Sequence, residues 1–154
     1  MKVHIDIDPK HRETSITIHA NDWSPELEKL VQQLQHQEDK VRRIVGTKDE
    51  QSILIEPEQI DYIFAENRKV YAKLPRETIE LKLKLFEVEL LLKSHQFVRF
   101  SKSVVGNMNQ IERFELAFNG NLRVHFKSGN KEYVSRTYVQ EVKKQLLGGD
   151  SHGF

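Results

Sequence analysis

Apolar side chains recur along this chain with two different periods, and the switches between them divide it into elements. Val3, Ile5 and Ile7 alternate with polar neighbours, as do Thr14, Ile16 and Ile18, with Asp8-Pro9-Lys10-His11 between them as turn material. A period of two predicts strands, so this stretch reads as a β-hairpin. Ser24 before Pro25 has the form of an N-cap followed by proline at the first helical position. Leu27, Leu30, Val31 and Leu34 then recur at helical spacing and make one face apolar. Residues 1–36 are expected to form a ββα unit. Such a unit buries little surface alone, so its apolar faces should dock on the rest of the chain or on a second copy.

From His36 to Glu50 the chain is charged and weakly periodic, and Gly46-Thr47-Lys48-Asp49 reads as a turn or linker. Short apolar runs follow at Ile53-Leu54-Ile55, at Ile60 to Phe64 and at Val70-Tyr71-Ala72, separated by Glu56-Pro57 and by Glu66-Asn67-Arg68-Lys69. Between Thr78 and Leu92 both periods are present. Ile79, Leu81, Leu83 and Leu85 alternate as in a strand, whereas Leu85 to Leu92 suits a helix. Phe97 to Phe100 is strand-like, and Ile111–Phe118 and Leu122–Lys127 flank Asn119-Gly120, a strong hairpin signal. Ser128-Gly129-Asn130 turns the chain into Lys131–Ser135. Ser135 can then cap a last helix bearing Val139, Val142 and Leu146 on one face. The expectation is an α+β chain, mainly β, divided into residues 1–45, 46–147 and a flexible tail 148–154.

Composition narrows the chemistry. With 154 residues and no Cys, one domain plus a small appended element is expected, without disulfides or thiol chemistry. The N-terminus lacks the apolar run of a signal peptide, and no stretch approaches the ~20 apolar residues of a membrane span. A cytoplasmic protein is expected. No G-x-S-x-G, H-E-x-x-H, Walker or dinucleotide glycine pattern occurs, and the 7 His never fall at ligand spacing. An enzyme, a metal site, a cofactor and a small-molecule substrate are therefore not expected.

Net charge is only +1, but it is unevenly placed. Residues 1–66 hold 8 Lys/Arg against 14 Asp/Glu, whereas residues 67–147 hold 16 against 8. A basic portion of this kind is what a polyanion-binding surface requires. Three segments could supply its contacts. Arg68 and Lys69 are adjacent cations between two strands. Lys102 lies between the hydroxyls of Ser101 and Ser103. Ser135, Arg136 and Thr137 open a helix, where backbone N–H groups and the helix dipole favour phosphate. Arg and Lys suit guanine edges and phosphates, and Ser and Thr hydroxyls hold phosphate oxygens.

The series F-V-R-F-S-K-S-V-V-G-N (Phe97 to Asn107), a Gly-turn hairpin and V-S-R-T-Y-V (Val134 to Val139) resembles the LytTR family of bacterial DNA-binding domains, over about Ser52 to Leu147. The resemblance implies three small antiparallel sheets with short helices, and a strand turning into a helix near Lys82. It also implies loops that enter successive major grooves. It points to Lys69 or Arg68 in the first loop, to Lys102 with Ser103 on phosphate in the second, and to Arg136 in the third. Many relatives carry a second Arg where this chain has Thr137. Asn107, at the family's V-N position, is expected to be a structural cap. The 66 residues before the basic portion are too few for a phosphoacceptor receiver domain. The chain therefore resembles small stand-alone regulators of the family, which are often linked to a membrane-protein partner.

The function expected from these features is that of a sequence-specific transcription regulator that binds double-stranded DNA as a homodimer on direct repeats. The rival expectation is a protein-interaction module whose basic half binds an acidic partner. RNA binding is disfavoured because the strands lack interleaved stacking aromatics.

Overall fold

The computed structural model describes residues 1–38 and 42–148, and the chain divides into two units, 1–35 and 36–154. In the first unit the helix forms as expected: α1 spans Pro25–Glu38, with the Ser24 hydroxyl accepting from Leu27 N at 3.1 Å. The preceding hairpin does not form. The chain turns at Asp8–His11, where the His11 N–H donates to the Asp8 carbonyl at 3.0 Å, but no strand ladder joins its two arms. The physical reason is that an isolated two-stranded ribbon is at best marginal without a surface for its apolar face. Val3, Ile5, Ile7 and Ile16 all remain exposed.

The second unit holds ten strands and two α-helices among the described residues. In chain order they are β1 (Ile44–Lys48), β2 (Gln51–Ile55), β3 (Tyr62–Glu66), β4 (Lys69–Lys73), β5 (Thr78–Leu81), α2 (Leu85–Leu91), β6 (Phe97–Ser101), β7 (Val104–Asn107), β8 (Ile111–Leu116), β9 (Leu122–Phe126), β10 (Lys131–Val134) and α3 (Arg136–Leu146). All pairings are antiparallel. The molecule is thus α+β and mainly β. Instead of three separate small sheets, it has a seven-stranded sheet in the order β2-β1-β5-β4-β3-β7-β6 and a three-stranded sheet β10-β9-β8. Two pairings, β1 with β5 and β3 with β7, fuse hairpins into the larger sheet.

Thr78–Leu92 uses both of its periods in turn, strand then helix, with the change at Lys82 to Lys84. Gly46 does not lie in a linker but within β1, and the turn falls at Asp49 and Glu50, both at positive φ. Tertiary packing decides this: a Cβ at Gly46 would fall on Ile79 Cγ2, so only glycine lets β1 lie against β5 there.

Two cores hold the sheets. Ile44, Ile55, Ile63, Ala72, Ile79 and Leu81 pack with Leu85, Val88 and Leu92 of and beside α2. Phe100, Val104, Leu122, Val124, Phe126, Val139 and Val142 form the second core, joining β6 and β7 to the small sheet and α3. Asn107 links the elements as a buried cap. Its Nδ2 donates to the Pro57 and Ile60 carbonyls at 3.3 and 2.9 Å, and its Oδ1 accepts from Asn109 N at 3.1 Å. Burying an amide costs little when its bonds are satisfied in this way. The described structure stops at Gly148, so most of the expected flexible tail lies outside the described residues.

Candidate nucleic-acid interface

The three cationic segments, far apart in sequence, meet at one end of the second unit. Asn67 and Arg68 form a two-residue turn between β3 and β4, both at positive φ (51° and 64°). That backbone matches the twist of a tight hairpin and turns the Arg68 side chain outward. Because β3 pairs with β7, with Phe64 facing Val104, the start of β7 lies beside the end of β3. The Ala65 N–H donates to the Ser103 carbonyl at 2.9 Å, tying the first turn to the turn that carries Lys102. The Ser135 N–H donates to the Phe100 carbonyl at 2.9 Å, which brings the start of α3 to the same place.

Lys102 is exposed at the tip of the β6–β7 turn, and its backbone is held from below. Arg99 Nη1 donates to the Lys102 carbonyl at 3.0 Å, and Arg99 Nε donates to Glu89 Oε2 of α2 at 2.8 Å. The register shift between Arg99 and Ser101 lies directly under this turn. Such bulges re-aim a turn relative to its sheet. Ser101 Oγ accepts from the Ser103 N–H at 3.2 Å, so Ser101 shapes the turn and Ser103 is left exposed.

At the third segment Ser135 has extended backbone angles at the N-cap position, but its hydroxyl makes no capping bond. Asn121 takes that role: its Oδ1 accepts from the Arg136 N–H at 3.0 Å. The expectation that Ser135 caps α3 is thus corrected, because the β8–β9 turn supplies a better-placed acceptor. Arg136 and Thr137 are both exposed on the first turn of the helix.

The cations are not equivalent. Arg68, Lys102 and Arg136 make no ion pair among the described residues, whereas Lys69 Nζ lies 3.8 Å from Glu80 Oε1. Lys82 Nζ lies 2.7 Å from Glu80 Oε2. The hydrogen bond from Lys82 holds the Glu80 carboxyl below the usual carboxylate range, and Lys69 adds to that effect. Lys69 therefore shares its charge with a carboxylate that sequence reading did not associate with it. Arg99, Glu89 and Asn121 were likewise missed as positioning residues. Arg99 stands inside the F-V-R-F-S-K-S series, but nothing in sequence marks its bond to the turn ahead of it.

Beyond Asn121 the small sheet carries a cleft of about 350 Å³, lined among others by Leu116, Phe118, Arg123 and Tyr133. Its charges are mutually engaged. The Arg123 guanidinium donates to the Tyr133 hydroxyl and lies 5.1 Å from that ring, and His125 Nε2 lies 3.0 Å from Glu115 Oε1. No group of His, Asp or Glu among the described residues is arranged to hold a metal ion.

Residues 50–147 match the LytTr DNA-binding domain family. The chain belongs to the LytTR family. An uncharacterized HTH-type transcriptional regulator of Staphylococcus aureus (strain MSSA476) is 31% identical over 146 residues, covering 95% of this chain and 98% of the relative. The corresponding protein of strain NCTC 8325 is 30% identical over the same shares. A solved LytTr DNA-binding domain from Bacillus cereus superposes with a TM-score of 0.64 at 23% identity, over 70% of this chain and 98% of that domain. A helix-turn-helix needs two consecutive helices joined by a short turn. In this LytTR chain strands separate each described α-helix from the next.

Proposed function

We propose that this protein is a sequence-specific regulator of transcription that binds double-stranded DNA through the β3–β4 turn, the β6–β7 turn and the start of α3. The observation that carries the reading is the convergence of Arg68, Lys102 and Arg136 on one end of the unit, through the Ala65–Ser103 and Phe100–Ser135 backbone bonds. In this reading the three segments enter successive grooves. Lys102 and Arg136 meet base edges or the adjoining phosphates, Arg68 and Lys69 meet the first groove, and Ser103, Ser135 and Thr137 hold phosphate oxygens. Membership of a DNA-binding domain family and the staphylococcal relatives named as transcriptional regulators support it.

The protein acts as a homodimer on direct-repeat half-sites and works in the cytoplasm, where contact with a membrane-protein partner provides its signal. No described helix is long and apolar enough to cross a membrane. The test is a gel-shift comparison of promoter fragments with scrambled duplex and with an acidic protein surface. Preference for one duplex sequence supports the reading. Equal binding to all duplexes with tighter binding to an acidic protein supports an interaction module instead.

A further inference from the structure

Residues 1–8 hold an apolar edge without a partner: Val3, Ile5 and Ile7 are 74%, 80% and 90% exposed. These residues join no ladder, although their alternation of apolar and polar side chains is that of a strand. Unpaired N–H and C=O groups along an extended segment are a template for another strand. What kind of strand fits is written in the side chains. When the segment is set antiparallel to a second copy with Ile5 facing Ile5, Val3 faces Ile7, Lys2 faces Asp8 and His4 faces Asp6.

Side chains directly opposite each other share a face of the ribbon. One face then carries Val3, Ile5 and Ile7 from both copies, and the other carries a Lys–Asp pair at each end. Neighbouring registers lack this match. Centring on Asp6 sets Asp6 against Asp6 and Lys2 against Lys10, and centring on His4 leaves Asp8 without an opposite residue. Pro9, which has no N–H, ends the pairing one residue after Asp8. In the single chain Asp6 Oδ2 is engaged by His11 Nε2 at 3.1 Å on an exposed surface, a contact that is easily exchanged.

We propose that residues 2–8 of two copies pair antiparallel about Ile5, and that this isologous strand pairing is the dimer contact of the protein. Its two-fold relates residues 1–35 of the two copies and is not imposed on the DNA-binding units that meet the direct repeats. The proposal deepens the homodimer part of the proposed function and rests on it. It is tested on the full chain without DNA by sedimentation equilibrium. The expected mass at micromolar concentration is about twice 18.1 kDa. Ile5→Lys, which sets two like charges on the symmetry axis, should weaken the dimer by at least about tenfold. Lys2→Asp should weaken it, and adding Asp8→Lys to that variant should restore it.

A monomer throughout the concentration range would overturn the proposal. So would a dimer unaffected by Ile5→Lys, or a Lys2→Asp defect that the second reversal does not repair. Binding of the Ile5→Lys chain to a single DNA half-site should stay unchanged. If half-site binding is absent while the dimer behaves as described, the DNA reading fails and the interface stands.

Discussion

Lys102 reaches solvent from a turn whose backbone is fixed by a side chain below it. The Arg99 guanidinium holds its carbonyl, and the ammonium makes no ion pair among the described residues. Lys102→Ala should therefore cost specific DNA binding about 1–3 kcal/mol and flatten sequence preference, if it meets a base. Fluorescence anisotropy on matched and scrambled duplexes checks this, and an equal weakening on both would mean that Lys102 meets only phosphate. Residue type, position at strand and helix ends, and the family resemblance made Arg68, Lys102 and Arg136 legible as candidates. The tie between Lys69 and Glu80 was not legible, because it depends on the register of β4 against β5. Glu132 makes a separate prediction. Burial pushes its carboxyl above the usual range, partly offset by the Tyr133 N–H. A carboxyl raised in the folded state binds its proton more tightly there, so stability falls as pH rises from the unfolded value through the folded one. Glu132→Gln should raise Tm slightly near pH 7 and lose that advantage near pH 4, as followed by circular dichroism melting.

Among the elements, those with strong local signals formed: the strand-to-helix change near Lys82, α1 behind Ser24-Pro25, and the hairpin around Asn119-Gly120. The first strand of that hairpin stops at Leu116, however, and a helical turn at Phe118–Gly120 replaces the expected two-residue connection. Those that failed lacked a partner or found one far along the chain. The N-terminal alternation is real, yet no surface covers it within its unit, so no ladder forms. Gly46 looked like a linker because Thr47-Lys48-Asp49 follow it, but pairing with β2 and β5 makes it strand. Gly106 shows the same dependence on distant packing, since a Cβ there would fall within the Phe100 ring. Gly106→Ala should destabilise the domain by about 1–3 kcal/mol through overpacking. Urea unfolding measures this, and Phe100→Leu in the same chain should recover part of that stability. Arg99→Ala leaves the core intact but frees the β6–β7 turn. It should weaken specific DNA binding while Tm changes little, and a large drop in Tm with specificity retained would contradict its positioning role.

Across the whole molecule, the uneven charge becomes meaningful only when the strand pairings gather it. The basic portion places Arg68 and Lys102 on two turns and Arg136 at the start of α3, which two backbone hydrogen bonds hold together, and the family match covers the same residues. Cations that neutralise phosphates release counterions, so affinity must fall as salt rises. The most direct test is a titration of promoter duplex with the full chain across a salt series, beside the variant Arg68→Ala/Lys102→Ala/Arg136→Ala. The log of the binding constant should fall linearly with the log of salt concentration, and the triple variant should show a slope shallower by about 0.9 for each phosphate it no longer neutralises. No binding at low salt, or binding indifferent to salt, would contradict the assignment of this surface to DNA.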